Sequence, residues 1–538
     1  MNKNRKSIFS FVLIPIILAT TVLSGCGNSA SSDKMITTSE ISDPGTTDVQ
    51  KTTSEYTIPL NIYDRLVEAI TVSPGKSELV PGLAESWEVS PDGLKYTFHI
   101  RKDVKFHNGE ILKADDVLYT FDRMLDPATK ALNTDFLDMI AGAKDRMDGK
   151  ANSVSGIKVI DDNTIEITLA KAFAPFLANL ATPAGSIYNR KATTEAGEQF
   201  GIDPQKTIGT GPFKMKSWAL NDTVVLVSNP DYFQGAPKID GVNIKIVPDA
   251  ETNRIMFETG KLDIFNLSNS ASQIPQFRDN EKWKNSIVSG PIVGLYYYAL
   301  NEDIKPLDDV RIRKALQMSI DRQTLLDKLY YGEGQLVHGI SPPGLLGYNP
   351  ELPKIEYNPE KAKQLLTEAG YPNGFDMEIV QTTDSPNTLK INEAVQAMLQ
   401  KVGVRVKITQ IDESTYFATR QVGKLPSNQN EWSADYNDPD NFFYTFFSQK
   451  NSKVRSYNYN NLEVNAKLEK ARTMVDQTER IKLYQEMEKT IAQEDAAWIP
   501  LFALNQLFVV QPRVKNFQVA WNGWSSMSYY GLEIVEAK

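Results

Sequence analysis

Along residues 95–100 apolar and polar side chains alternate, with Tyr96, Phe98 and Ile100 set against Lys95, Thr97 and His99. A period of two places each set on its own face and predicts a half-buried strand. Residues 114–125 change period. Val117, Leu118, Phe121 and Leu125 recur at helical spacing, and Asp115 and Asp116 fall in the first turn, where the helix dipole favours anions. Residues 157–160 and 164–169 flank Asp161-Asp162-Asn163, the pattern of a hairpin. Residues 308–331 predict one long helix with Val310, Ile312, Ala315, Leu316, Ile320, Leu325 and Leu329 on a broad face, stopped by Gly332. Residues 359–369 start with proline in the first turn and end at Gly370, and residues 477–494 make a further amphipathic segment before Trp498-Ile499-Pro500-Leu501. Strand and helix periods interleave, which predicts an α/β fold.

The first residues read as a targeting signal. Lys3, Arg5 and Lys6 precede an apolar run over residues 8–23 that is short for a membrane span and is interrupted by Pro15. It closes on Leu23-Ser24-Gly25-Cys26, which resembles the lipobox of bacterial lipoproteins, where cleavage leaves the cysteine first and lipids are attached to it. Cys26 is the one cysteine in 538 residues, and lipidation accounts for an odd cysteine in an exported chain. This predicts a signal peptide at 1–25 and an extracytoplasmic protein held by a lipid anchor. Residues 26–54 are rich in Ser, Thr, Asp and Gly, so they are expected to form a flexible tether. The remaining residues, about 480, exceed a single core and imply two or three domains. A net charge of −9 argues against nucleic-acid binding. Seven Trp and twenty-two Tyr are a generous number; most belong to the core, and a surplus is also what a concave binding site uses.

The segment Trp432-Ser433-Ala434-Asp435-Tyr436-Asn437-Asp438-Pro439-Asp440-Asn441-Phe442 sets a carboxylate between aromatic side chains and follows it with a turn. Aromatic walls exclude water, and a carboxylate there calls for a cation such as a primary ammonium. Asp, Asn and Pro also favour turns for purely local reasons, and Asp438 and Asp440 are assigned to that turn. Catalytic constellations are missing from the pattern. His99, His107 and His338 show no metalloprotease spacing, no G-x-S-x-G or P-loop occurs, and Gly209-Thr210-Gly211 precedes Pro212 as a bare turn. No enzyme activity, cofactor or metal site is expected.

A series of blocks resembles the peptide/nickel-type solute-binding proteins of ABC importers (family 5). They include residues 81–89, Tyr96-Thr97-Phe98-His99-Ile100-Arg101-Lys102, Val104-Lys105-Phe106-His107-Asn108-Gly109 and Ala114-Asp115-Asp116-Val117. Further on come Gly209-Thr210-Gly211-Pro212-Phe213-Lys214, Asn229-Pro230-Asp231-Tyr232, Gly260-Lys261-Leu262-Asp263, residues 309–316 and residues 362–372. The resemblance runs from about residue 60 to the C-terminus and rests on the order of the blocks. It implies a bilobal periplasmic-binding-protein-like fold (class II, cluster C) with an extra subdomain. Lobe I would comprise residues 55–60, 173–292 and 503–538, the extra subdomain 61–172, and lobe II 293–502. The implied role is a monomeric receptor that captures short peptides in the interlobe cleft and delivers them to ABC permease and ATPase subunits. The alternatives are a nickel chelate, an oligosaccharide or another amine-bearing small molecule, and, outside the transport class, an exported interaction protein or peptidase.

In peptide-binding members the ligand α-ammonium pairs with the first Asp of an Ala-Asp-Tyr-type segment after a tryptophan, which here is Asp435, with Trp432 and Tyr436 as pocket walls. Tyr296-Tyr297-Tyr298-Ala299-Leu300-Asn301 matches the family strand whose backbone pairs with an extended peptide, so Tyr297 and Tyr298 are candidate contacts. Alternate tyrosines must face opposite sides. Glu55, Tyr56 and Thr57 occupy the position of a first-lobe strand that touches ligand. Arg420 matches a basic position suited to the peptide carboxylate, whereas Gln429 stands where oligopeptide binders carry an arginine. Residues 426–431 are polar where relatives are mostly apolar.

Overall fold

The computed structural model of the chain describes residues 34–53, 56–523 and 527–535. Helices and strands alternate throughout, and the periodic segments form the elements their patterns predict. Lys95–Ile100 is a strand with Tyr96, Phe98 and Ile100 buried. It sits in a four-stranded sheet between Ala84–Val89 and Thr164–Thr168, with Ile157–Asp161 at the far edge. The helix Ala114–Leu125 covers this sheet, and its Asp116 carboxylate accepts a bond from Lys113 N at 3.0 Å, capping the first turn. One apolar core joins these elements, from Leu66 to Ile187.

A second four-stranded sheet has the order Met35–Glu40, Gly241–Ile246, Thr223–Ser228, Phe213–Ala219. Its outer strand overturns the expectation of a tether reaching residue 54. Met35–Glu40 runs parallel to Gly241–Ile246, Ile36 and Thr38 are buried, and residues 47–50 are buried as well. Average composition misled because this segment borrows a core built by other residues. Its polar groups also find partners: Val49 N donates to Tyr188 Oη at 2.9 Å, Gln50 Nε2 to Thr120 O at 2.9 Å, and Arg123 Nη2 to Asp48 Oδ2 at 2.7 Å. Residues 1–33, with the predicted signal peptide and Cys26, lie outside the described residues, as does Glu55.

The chain crosses into a third region after the strand Ile287–Pro291 and enters Gly294–Leu300; it returns through Trp498–Pro500 into Phe502–Val510. The long strand Phe502–Val510 pairs with Gly334–Leu336 at its start and with Ile287–Pro291 and Ile264–Asn266 further on. Between the crossings lies a three-stranded sheet, Ser427–Ser433, Gly294–Leu300, Trp498–Pro500, flanked by two apolar cores. The single helix expected over 308–331 is two helices, Val310–Ser319 and Arg322–Leu329. Ile320 is extended, and the Asp321 carboxylate accepts from Thr324 N at 3.0 Å, starting a new helix where the apolar periodicity runs on unbroken. Among the described residues no helix is long and apolar enough to cross a membrane.

Candidate functional site

The strand Ser427–Ser433 pairs on one side with Gly294–Leu300 in antiparallel register, Ser427 opposite Leu300 and Ser433 opposite Gly294. No strand among the described residues pairs with its other side. The chain then turns. Ala434 N donates to Val293 O at 2.8 Å, Asp440 N donates to Asp438 Oδ1 at 2.9 Å, and Pro439 leads into the helix Asp440–Phe447. Asp435 projects from this turn, partly buried, and with Tyr436 and Asn437 lines a cavity of about 520 Å³.

Asn441, in the first turn of the helix, holds the anchor segment together. Its Oδ1 accepts from both Asp435 N (2.9 Å) and Trp432 Nε1 (3.1 Å), while its Nδ2 donates to Asp435 Oδ2 at 2.8 Å. One amide therefore fixes the carboxylate and the indole relative to each other. Burial pushes the Asp435 carboxyl up to about 6; the Asn441 bond and the charge of Arg455 oppose this, and the charge of Asp135 adds to it. A carboxylate in this setting gains from any cation brought to it. Asn437 ties the surroundings down, donating to Ser77 Oγ (2.9 Å) and Gly344 O (3.1 Å) and accepting from Leu346 N (2.8 Å).

Asp438 and Asp440 are more than a turn. Arg480, fully buried, donates to both oxygens of Asp438, at 2.7 and 2.6 Å. Asp440 accepts from Tyr436 Oη (3.2 Å) and Tyr484 Oη (3.3 Å), and Arg472 Nε stands 3.1 Å from it. These two carboxylates are committed to protein cations and phenols, whereas Asp435 has an amide and no bonded cation.

Two further cavities follow the same strand. Trp432, Tyr296, Glu431 and Ser433 line one of about 210 Å³. Arg420 and Gln429, with Tyr296 and Tyr416, line another of about 470 Å³. The sequence-derived candidates Asp435, Tyr436, Trp432, Arg420 and Gln429 thus lie along one stretch of chain. None of His99, His107 and His338 lines any of the three cavities, and among the described residues no group of three or more His, Cys, Asp or Glu is placed to hold a metal ion.

Tyr297 and Tyr298 are corrected. Their strand is central, paired with Ser427–Ser433 on one side and Trp498–Pro500 on the other, so its backbone has no free edge to offer a peptide. Tyr297 packs on Trp498 with ring centroids 4.7 Å apart, and Tyr298 Oη donates to Asn392 Oδ1 at 2.6 Å; both are buried in the core. The edge without a strand partner belongs to Ser427–Ser433, one strand over, with Asp376–Thr382 packed near its start, where Ser427 Oγ donates to Glu378 O at 2.7 Å. Thr57 is corrected too: it opens the helix Thr57–Ile62 instead of lying in a strand, and its carbonyl accepts from Asn61 Nδ2 at 2.7 Å. The neighbouring Tyr56 is the group that approaches the anchor, its phenol pKa raised by burial and then by the Asp435 charge. Asn441 and Arg455 went unselected by sequence reasoning. Asn441 carries a weak signal, an Asn one turn into a helix after an aspartate-rich turn, and Arg455 carries none.

The model of the bacterial extracellular solute-binding proteins, family 5, middle region, matches residues 78–454. The chain is 32% identical to the dipeptide-binding protein of Escherichia coli, over 85% of this chain and 86% of that protein. It is 31% identical to heme-binding protein A of Haemophilus influenzae, over 97% of this chain and 98% of that protein. It superposes on the periplasmic binding protein DppA of Helicobacter pylori, solved with the peptide STSA, with a TM-score of 0.76 and 28% identity over 93% of this chain and 98% of that chain. The chain belongs to family 5 of the bacterial extracellular solute-binding proteins and has their bilobal α/β architecture.

Proposed function

We propose that this chain is an extracytoplasmic receptor that captures short peptides by their α-ammonium at Asp435 and delivers them to an ABC-type permease and its ATPase. The observation that carries the reading is Asp435 itself: a carboxylate oriented by Asn441, raised to about 6 by burial, and without a bonded cation of its own. A charge-assisted bond there contributes about 1.5–3 kcal/mol, and a ligand without an amine leaves the carboxylate desolvated and unpaired. The unpaired edge of Ser427–Ser433 suits main-chain pairing with an extended peptide, which binds independently of side-chain identity. Trp432 and Tyr436 act as walls; Gln429 and Arg420 face the cavity further along the strand. The named relative in Escherichia coli and the peptide held by the Helicobacter pylori protein support the peptide class.

Lobe I in this reading takes in residues 34–53 together with 55–60, 173–292 and 503–538, joined by the subdomain 61–172, and lobe II comprises 293–502. Ligand that touches both lobes stabilises the closed arrangement. The receptor acts as a monomer without catalysis, tethered through a lipidated Cys26 after removal of residues 1–25. A second reading, a heme-type ligand, draws on the name of the Haemophilus influenzae relative; the absence of histidine from the three cavities favours the peptide. Native mass spectrometry of protein extracted from membranes of cells grown in rich medium tests both parts. The expected spectrum shows an acylated chain beginning at Cys26 and carrying a distribution of peptide-mass adducts. A single heme or sugar mass in place of peptides sinks the ligand assignment, and an unmodified N-terminus sinks the anchor.

A further inference from the structure

Arg455 follows the helix Gln449–Val454 and is half-buried. Its guanidinium carbon stands 4.7 Å from the centroid of the Trp432 ring and 4.7 Å from that of Phe446. Two aromatic faces hold the planar cation in a fixed orientation. Among the described residues, Arg420 rests on the Phe417 ring, 4.6 Å from its centroid, and lines the cavity of about 470 Å³. Arg480 is bidentate on Asp438, and Arg472 stands against Asp440. The Arg455 guanidinium, like that of Arg420, makes no hydrogen bond or ion pair with a described residue, and what sets it apart is its seat on the Trp432 ring beside the anchor. Asp435 and Asp135 are near enough for their charges to act on it, yet neither bonds to it. Burying a guanidinium without a counter-anion is costly, and cation–π contact recovers part of that cost without satisfying its donors.

Its position relative to the ammonium anchor follows from two contacts. Trp432 carries Arg455 on its ring, and the Trp432 Nε1 shares the Asn441 oxygen with Asp435 N. A single indole and a single amide side chain separate the guanidinium from the carboxylate. The backbone next to Arg455 is also fixed: Ser456 Oγ donates to Arg420 O at 2.9 Å, which brings the Arg420 segment alongside.

We propose that Arg455 receives the C-terminal carboxylate of the ligand, so that one aromatic wall holds both ends of a short zwitterionic peptide. This rests on the peptide reading above and reassigns the carboxylate partner from Arg420 to Arg455. Arg's forked donors suit a carboxylate in two-point contact, and a site with its two charged groups so near each other favours di- and tripeptides over longer chains. Calorimetry with Ala-Ala and its C-terminal amide, Ala-Ala-NH2, tests it. Wild type should bind the free acid at least tenfold more tightly than the amide. Arg455→Met should erase that preference, and Arg455→Lys should restore part of it; Arg420→Met should keep it. Should Arg455→Met fail to fold by circular dichroism, the wild-type acid-to-amide ratio and the Arg455→Lys ratio decide. Equal affinity of wild type for acid and amide, or an undiminished preference in the Arg455 variants, overturns the assignment while leaving peptide capture intact. Failure of wild type to bind either compound overturns both.

Discussion

At the scale of single residues the proposed peptide capture turns on the protonation of Asp435. Its carboxyl, ordinarily near 3.8, is raised to about 6 by burial, so the folded chain holds this proton more tightly than the unfolded chain does. In the ligand-free protein the stability due to this group is therefore present below pH 4 and is lost as pH rises through 6. Binding runs the other way, because an ammonium requires the ionised form. Affinity for a free-amine peptide should be flat above pH 7 and fall about tenfold per unit below pH 6. Calorimetry at pH 5.5 in two buffers of different ionisation enthalpy should detect proton release on binding; a pH-independent affinity with no release contradicts the assignment. Asp435 stands out in the sequence as a candidate because a carboxylate between aromatics is a local pattern and the family motif runs through it. Asn441 was not: its role depends on one side chain reaching back across a turn to two different partners. Arg455 was still less legible, since nothing in the residues around it shows that its guanidinium lands on Trp432.

At the scale of elements, periodicity predicted the strand Lys95–Ile100, the helix Ala114–Leu125 and the Ile157–Asp161 hairpin, all set by local spacing. It failed where a capping contact intervened, as at Asp321, and where sheet order decided the outcome. Which of two neighbouring strands is central cannot be read from alternation, so Tyr297 and Tyr298 read as ligand contacts until their strand proved to be flanked on both sides. The turn after the anchor strand is braced by the Asp438–Arg480 pair, joining it to the helix Gln477–Lys489. Removing one partner of a buried ion pair leaves an unpaired charge, at a cost of about 3–5 kcal/mol. Arg480→Met should lower unfolding stability in urea by that amount, and adding Asp438→Asn should return a good part of it. A change within about 0.5 kcal/mol, as for a surface substitution, would place the brace outside the stable core.

At the scale of the whole molecule, the family blocks gave the bilobal architecture before any coordinates, because their order along the chain is itself a topology. Composition failed at residues 34–53, where a polar segment folds by docking onto strands more than 190 residues away, as when Met35 pairs with Gly241. The two crossings between regions lie together, and the anchor strand, the Asn437 contacts to Ser77 and Gly344, and the turn at Asp435 all meet near them. In the proposed receptor, ligand held there by the Asp435 carboxylate would act on both sides of the crossings. The most direct test is calorimetric titration of wild type and of Asp435→Asn, nearly isosteric, with Ala-Ala and N-acetyl-Ala-Ala. Wild type should bind the free amine and reject the acetylated form. Asp435→Asn should lose at least tenfold in affinity for the free amine, about 1.4 kcal/mol. Unchanged affinity in Asp435→Asn, or equal binding of the acetylated peptide by wild type, would contradict capture at Asp435.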